Sequence, residues 1–283
     1  MPASHLYYRH TLTVRVTHWV NAAALAILFM SGLNIFSAHP ALYWGKSSYT
    51  GRGPVLEITA RQSSGGAAGI TRVLGREFVT TGVLGSAAGP RGEMIARTFP
   101  SWLTLPASRW LAMARRWHFF FAWAWVINGV LYLAWSLASR HLRRDLAMQR
   151  RDWRAIPRTI ADHLRFRHPL GDAAARYNPL QKLAYLGVIF VLAPLIILTG
   201  LAMSPQLDTI MGWFLQLVGG RQSARTLHFA AMALFVLFTI VHVVMVVYAG
   251  PVNEMRSMIT GRFRVRYPKP EPTPTATGEE PTP

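Results

Sequence analysis

Four long apolar stretches constrain the fold of this 283-residue chain more than any other feature. Each contains about the ~20 residues that an α-helix needs to cross the hydrocarbon core of a bilayer. A helix satisfies its backbone hydrogen bonds internally, as lipid requires. The sequence therefore predicts an all-α membrane protein, a four-helix transmembrane bundle. The predicted spans cover residues 17–36, 117–137, 183–203 and 227–248.

The composition agrees with a membrane protein. Hydrophobic residues make up 51% of the chain and charged residues only 15%, which is apolar for a soluble domain of this length. The net charge of +18 does not indicate nucleic-acid binding, because the Lys and Arg residues lie between apolar stretches rather than along one basic face. The first span contains His18 and Asn21 and lacks a clear cleavage site before Ala38, so we expect a retained helix rather than a secretory signal.

The distribution of Lys and Arg predicts the orientation, since cytoplasmic flanks of membrane spans carry an excess of both. The connection over 139–182 holds eleven of them, whereas the connection over 204–226 holds two. Both termini are therefore expected in the cytoplasm of a bacterial inner membrane. The segment 37–116 holds ten, but long translocated segments carry little topological information. It is expected outside, in the periplasm.

Two segments outside the spans have distinctive compositions. Residues 37–116 are rich in Gly, Ser and Ala with aromatic edges, and we expect a long, partly ordered outer loop that docks a partner. A flexible linker without a role is the alternative. After residue 267 the chain alternates Pro, Thr and Glu. Residues 268–283 are therefore expected to form a disordered tail that follows a transmembrane domain over 1–267.

Four of the ten histidines lie in or at the edge of a span. Ionisable residues at membrane depth are costly and usually functional. His228 and His242 are separated by fourteen residues on one predicted helix, which places them about 40° apart around its axis and ~21 Å apart along it. In the expected topology, His118 lies at the outer level of His228. His18 lies at the inner level of His242.

Two histidines at one level match one b-type haem, which takes one axial imidazole on each face. Two such levels match two haems. The chain has no cysteine, which excludes iron–sulfur ligation, thiolate ligation and covalent c-type haem. Zinc is a poorer match, because each level offers only two strong ligands. We therefore expect two haem b groups, the inner held by His18 and His242 and the outer by His118 and His228. Polar core histidines in a haem-free anchor or a transporter are the alternative.

The other histidines and several arginines receive secondary interpretations. Four arginines lie near helix ends, where haem propionates would emerge, and guanidinium pairs well with carboxylate. Contact with lipid headgroups is the alternative for each: Arg15, Arg116, Arg221 and Arg225. Six histidines fall in predicted loops or tails, where we expect exposed or interfacial roles: His5, His10, His39, His141, His163 and His168.

Several short motifs suggest a family. His18-Trp19 opens the first span, Trp117-His118 opens the second, and His228 and His242 lie on the fourth; Asn178-Pro179-Leu180-Gln181-Lys182 precedes the third. These motifs resemble the bacterial cytochrome b family that provides membrane subunits of nickel–iron hydrogenases, respiratory formate dehydrogenases and thiosulfate reductases. The last motif is similar to an Asn-x-x-Gln-Lys element of that family.

The resemblance implies that the chain transfers electrons through its haems between quinone and a partner oxidoreductase. It implies quinone near the inner haem, in contact with Asn178 and near Gln181 and Lys182. The alternative for Asn178 is a helix N-cap before Pro179. The implied partner is a periplasmic redox subunit, first a molybdopterin oxidoreductase and second a nickel–iron hydrogenase; a self-contained quinone reductase is a third version. Whether the chain alone is an enzyme stays open.

Overall fold

The computed structural model describes residues 4–48, 51, 53–165 and 177–266. Four of its helices, of 24 to 29 residues, are long and apolar enough to cross a membrane, which agrees with the number of predicted spans. They are α1, α2, α4 and α6 in the chain order of the helices. The helices are α1 (Leu12–Phe36), α2 (Leu111–Ala138), α3 (Arg150–Leu164), α4 (Pro179–Ala202), α5 (Asp208–Leu217), α6 (Arg221–Ala249) and α7 (Pro251–Thr260).

Each spanning helix begins a few residues before its predicted span. Hydropathy marks only the part of a helix that is apolar, whereas the helical hydrogen bonds continue into the polar flank until a cap ends them. Thr11 is the N-cap of α1, and Asn178 is the N-cap of α4. α4 is continuous but contains a π-helical turn over Val188–Leu192.

The four spanning helices form two closely packed pairs. α1 packs along α2, and the C-terminal half of α4 packs along α6. Small side chains permit this approach, since five alanines on these helices are at most 2% exposed: Ala24, Ala114, Ala202, Ala224 and Ala231. Between the two pairs, ring contacts join α6 to α1 and α2. The bundle is therefore tight within each pair and joined through side chains between the pairs.

The connection between α1 and α2 contains a six-stranded sheet, so the expectation of a long loop over 37–116 requires correction. The strands run in the order β2-β3-β4-β7-β6, with β5 also paired to β4. β3 and β4 are antiparallel, and their register runs from Leu56↔Val73 to Ser63↔Gly66. The strands are β2 (Ala41–Leu42), β3 (Leu56–Ser63), β4 (Gly66–Val73), β5 (Arg76–Val79), β6 (Ser86–Ala88) and β7 (Met94–Ala96).

The glycines that suggested flexibility are the reason that these strands pack closely. A Cβ on Gly69 would lie 2.0 Å from the Leu84 carbonyl oxygen, and one on Gly85 would lie 2.2 Å from the Thr59 carbonyl oxygen. Only glycine fits such an approach of two backbones. The sheet is anchored to the end of α1 by a core of Leu33, Phe36, Leu42, Ile58 and Phe99.

The opposite end of the bundle is closed by the two ends of the described chain. β1 (Ser4–Tyr8) pairs antiparallel with β8 (Arg262–Arg266), which places both at the same end, as four crossings require. α7 lies beside this two-stranded sheet, and the Arg9 guanidinium forms an ion pair with Glu254 at 3.1 Å. We call this end the terminus side and the opposite end the sheet side.

The expectation for the six secondary histidines holds only in part. His10 is only 6% exposed, so the exposed or interfacial role expected for it is wrong. Nδ1 of its ring lies 3.5 Å from the hydroxyl of Tyr177, a residue 167 positions away in sequence. His5 is exposed, and His39 and His141 are partly buried. The side chain of His163, together with His168 and the tail over 268–283, lies outside the described residues.

Candidate functional site

The structure brings the four span histidines together as two pairs. On the terminus side, the His18 and His242 ring centroids are 6.2 Å apart. On the sheet side, the His118 and His228 ring centroids are 6.4 Å apart. We call these the terminus-side pair and the sheet-side pair. Each pair combines one residue of α6 with one residue of the α1–α2 pair, as the fourteen-residue spacing on α6 predicts.

The geometry of both pairs fits two imidazoles on opposite sides of one metal ion. Two metal–nitrogen bonds of ~2 Å in line place the ring centroids ~6 Å apart. The ring planes are inclined by 56° in the terminus-side pair and by 60° in the sheet-side pair. Such angles are compatible with axial ligation, because each ring can turn about its own metal–nitrogen bond. The residues present therefore fit the axial ligands of a b-type haem.

A different kind of metal site has less support. Among the residues that the structure describes, no group of three or more His, Cys, Asp or Glu side chains could hold a metal ion. A structural zinc site usually takes four such ligands, and a catalytic one takes three. Each pair offers two, which suits a metal whose other ligands come from a macrocycle.

Hydroxyl groups orient both rings of the sheet-side pair. The Ser31 hydroxyl lies 3.1 Å from Nδ1 of His118, and the Thr199 hydroxyl lies 3.2 Å from Nδ1 of His228. Nδ1 of His228 also lies 3.0 Å from the Ile196 carbonyl oxygen. Because Nδ1 is engaged in both rings, Nε2 is left to bind a metal.

Each of these hydroxyl residues is followed by a glycine that touches the same ring. A Cβ on Gly32 would lie 3.3 Å from Cε1 of His118, and a Cβ on Gly200 would lie 3.2 Å from Cε1 of His228. Ser31-Gly32 on α1 and Thr199-Gly200 on α4 thus contact the two rings of the sheet-side pair in the same way. The hydroxyls of Ser31 and Thr199 also donate to the carbonyl four residues earlier in their own helices.

The terminus-side pair has different surroundings. Nδ1 of His18 is buried and has no hydrogen-bond partner among the described residues. The His242 ring stacks on Phe238 at 14°, with centroids 5.9 Å apart. Near His18, the Asn128 amide of α2 donates to the Thr17 carbonyl and to Asn21 Oδ1. That amide joins α1 to α2 one residue before His18.

The four candidate propionate arginines lie at the expected helix ends but have different neighbours. Arg225 donates to the backbone carbonyls of His39 and Ala41, so its guanidinium helps to attach the sheet to α6. Arg15 donates to the Ile259 carbonyl at 2.5 Å on the terminus side. Arg116 is exposed two residues before His118, and Arg221 is the partly buried first residue of α6.

The residues expected to contact quinone lie together at the start of α4, where they have structural partners. Asn178 Oδ1 accepts from the Gln181 backbone N–H at 2.8 Å, and Gln181 Oε1 accepts from the Asn178 backbone N–H at 3.1 Å. This capping box agrees with the alternative that Asn178 is an N-cap. Lys182 is 8% exposed and forms an ion pair with Asp152 at 2.9 Å.

A buried His10–Tyr177 contact was not predicted. The Tyr177 hydroxyl lies 3.5 Å from Nδ1 of His10, and the Arg9 guanidinium lies over the Tyr177 ring. Burial, with the nearby Arg9 charge, lowers the pKa of His10 to about 4. Burial raises the pKa of Tyr177. Neither residue lies in an apolar stretch, so the local sequence carried no signal for this contact.

The chain matches a known protein family over most of its length. Residues 9–261 match the family model described as prokaryotic cytochrome b561. The chain is 28% identical over 248 residues to a putative protein-methionine-sulfoxide reductase subunit, YedZ1, of Azospira oryzae, covering 86% of this chain and 92% of that protein. It is 28% identical over 157 residues to a probable Ni/Fe-hydrogenase B-type cytochrome subunit of Cupriavidus necator, covering 51% and 64%. No solved structure matches significantly.

Proposed function

The chain belongs to the prokaryotic cytochrome b561 family and is a multi-pass membrane cytochrome subunit, and on this premise we propose that it holds two haem b groups. The terminus-side pair, His18 and His242, would hold one, and the sheet-side pair, His118 and His228, would hold the other. Together they would carry electrons across the membrane between the quinone pool and a partner redox subunit.

A single observation carries this proposal: two pairs of imidazoles, each with its centroids a little over 6 Å apart, share helix α6. The fourteen residues between His228 and His242 correspond to ~21 Å along the helix axis, which covers most of a hydrocarbon core ~30 Å thick. A haem-free anchor or a transporter would have no need for two such pairs at two depths.

When bound, haem iron supplies a one-electron redox couple that is tuned by its axial ligands and their hydrogen bonds. The chain itself holds, orients and separates the two sites. Ser31 and Thr199 engage Nδ1 of the sheet-side imidazoles. Phe235 lies seven residues from each histidine of α6, is buried, and contacts Trp125 of α2 with centroids 5.8 Å apart. These aromatic rings lie between the two levels.

The quinone site is proposed on the terminus side, at the start of α4. The Asn178 amide uses Oδ1 in the capping box, and its Nδ2 takes no part in that cap. An amide N–H donor suits the carbonyl oxygen of a quinone. Lys182, four residues further along α4, forms a partly buried ion pair with Asp152, which places two charged groups near the proposed site. The family resemblance of the 178–182 motif supports the same location.

The partner is proposed on the sheet side, in the periplasm, with both termini in the cytoplasm. The excess of Lys and Arg over 139–182 supports this orientation. The relative that covers most of this chain is named as a putative reductase subunit, which favours a reductase partner; a molybdopterin oxidoreductase is our first candidate. A nickel–iron hydrogenase is the second, because the other relative is named as a hydrogenase cytochrome subunit.

Moving one charge through the membrane potential changes its energy by ~2.3 kcal/mol per 100 mV. The direction of electron flow is therefore determined by the reduction potential of the partner.

The first test counts haems and assigns each to its pair. We expect purified protein to bind about two haems per chain, as measured by pyridine haemochrome against protein concentration, with an α-band after dithionite reduction. His118→Ala and His228→Ala should each lose the sheet-side haem and keep most of the other. His18→Ala and His242→Ala should show the converse loss.

The exposed His5→Ala variant is the matched control and should keep both haems. Absence of an α-band in correctly folded protein would favour a haem-free anchor or a transporter. Equal loss of both haems from each single variant would contradict the assignment of ligands to pairs.

A further inference from the structure

Helix α3, which lies outside the predicted spans, has three distinct faces. At 100° per residue, Trp153, Ile156, Pro157 and Ile160 lie within an arc of about 100°. Trp153 is 54% exposed and Ile160 is 43% exposed, so this apolar face is not covered by the described part of the chain. The third face packs on α4.

A row of arginines lies directly beside the apolar face. Arg150, Arg151, Arg154 and Arg158 occupy the adjacent arc of about 100°, and all four are exposed. Arginine at the edge of an apolar face is typical of helices that lie at the boundary between headgroups and acyl chains.

The depth of α3 is defined by a buried contact. Lys182 Nζ donates to Asp152 Oδ2 at 2.9 Å, and both side chains are nearly buried. Asp152 lies in the first turn of α3, and Lys182 lies in the first turn of α4. The start of α3 is therefore level with the point at which the third spanning helix enters the membrane. Trp153, the next residue, is of the type that is enriched at this level.

The exposed arginines of α3 outnumber the acidic residues of the same helix, which are Asp152 and Asp162. Three acidic residues of the terminus side are already engaged, since Asp152 pairs with Lys182, Asp145 with Arg144 and His141, and Glu254 with Arg9. A fourth, Asp162 of α3, is at ion-pair distance from no Lys or Arg side chain among the described residues. Within the described ranges, none of Arg150, Arg154 and Arg158 is at ion-pair distance from an acidic side chain. Their charge is therefore open to an external anion.

We propose that α3 is an interfacial helix that binds anionic phospholipid headgroups through its arginines, with Trp153 and Ile160 inserted at the headgroup–acyl boundary. The bound lipid would hold α3 against α4 and so support the Asp152–Lys182 contact. This inference does not depend on the haems or on quinone, and it can fail while the proposed electron transfer stands.

The lipid preference can be measured on the full-length protein in vesicles of phosphatidylcholine with or without phosphatidylglycerol. Electron spin resonance of spin-labelled phosphatidylglycerol reports the lipid held at the protein surface. We expect the wild type to prefer phosphatidylglycerol over phosphatidylcholine. Replacing Arg150, Arg154 and Arg158 together with Gln should lower this preference at least about tenfold.

The matched control replaces three exposed arginines of the sheet side with Gln, namely Arg61, Arg76 and Arg91, and should keep the preference. The helix content of each variant, measured by circular dichroism in detergent, checks that it is folded. Equal preference in wild type and the α3 variant would overturn the proposal and would point instead to an acidic protein as the partner of this face.

A second measurement needs no change of charge. Lipids with brominated acyl chains quench tryptophan at the membrane boundary, and the difference between wild type and Trp153→Phe isolates the signal of Trp153 from the ten tryptophans of the chain. We expect Trp153 to be quenched strongly. A Trp153 signal that brominated lipid leaves unchanged would show that α3 lies away from the membrane, and the proposal would fail.

Discussion

At the scale of single residues, the sheet-side pair has a more complete set of supporting contacts than the terminus-side pair. Ser31 and Thr199 each occupy Nδ1 of a histidine, whereas Nδ1 of His18 has no hydrogen-bond partner among the described residues. Hydrogen bonds behind a ligand fix its orientation and raise its basicity. The sheet-side haem should therefore be the more tightly held of the two.

Thr199→Val tests this residue-level difference, because valine keeps the shape of threonine and removes its hydroxyl. We expect haem affinity at the sheet-side pair to fall about 10- to 100-fold, measured as haem transfer to apomyoglobin. Thr239→Val is the matched control, since the one hydrogen bond of the Thr239 hydroxyl within the described residues is to the Phe235 carbonyl of its own helix. Equal haem retention in the two variants would mean that the Thr199 hydroxyl does not orient His228.

At the scale of elements, α6 and the start of α4 define the sites. α6 carries His228, Phe235 and His242 at intervals of seven residues, which keeps them near one face. The start of α4 combines a capping box with the ion pair between Lys182 and Asp152. The same short segment therefore serves as a helix cap and as the proposed quinone contact, and substitutions can separate these roles.

Asn178→Ala should destabilise the protein by about 1 kcal/mol, as removal of an N-cap usually does, with a corresponding fall in Tm in detergent. Asn178→Asp should restore Tm, because aspartate is an equally good N-cap and its charge suits a helix N-terminus. If Nδ2 of Asn178 contacts quinone, Asn178→Asp should still raise KM for quinol several-fold, since the amide donor is lost. Unchanged quinol kinetics in Asn178→Asp would assign this residue to the cap alone.

At the scale of the whole molecule, the two ends of the chain close the terminus side of the bundle. β1 pairs with β8, and His10 is buried against Tyr177. Burial and the positive charge of the neighbouring Arg9 disfavour protonation of His10. Protonation of His10 should therefore weaken the contacts by which the two ends of the chain close the terminus side.

The stability of this closure should depend on pH with a defined sign. The pKa of His10 is lowered from 6.5 to about 4 in the folded protein. The unfolded state therefore binds more protons than the folded state between these pH values. The contribution of neutral His10 to the free energy of unfolding is fully present above about pH 6.5 and is lost as the pH falls towards 4. The loss is at most about 3 kcal/mol. Thermal unfolding of wild type and His10→Phe measures it: the variant should depend less on pH over this range.

His5→Phe is the control for this comparison, because His5 is exposed, and it should behave like the wild type. Parallel stability profiles for wild type and His10→Phe from pH 7 to 4.5 would mean that His10 does not control the closure.

The spans and the histidine spacing were readable from the sequence because both are local properties. About twenty consecutive apolar residues suffice to indicate a membrane helix, and the helical period alone relates His228 to His242. The resemblance of the span motifs to a bacterial cytochrome b family is confirmed by the family match over residues 9–261. Orientation, haem number, quinone and partner stay predictions.

The tertiary structure decided what depends on contacts between distant residues. The Gly-rich composition of 37–116 suggested a loop, yet Gly69 and Gly85 lie where two backbones meet in a sheet. Arg225 was expected at a propionate but donates to carbonyls of the segment before and within β2, and His10 is buried by a residue 167 positions away. Hydropathy and helical period describe one segment at a time. The partner that a glycine, an arginine or a buried histidine finds is determined by the packing of segments that the local sequence does not relate.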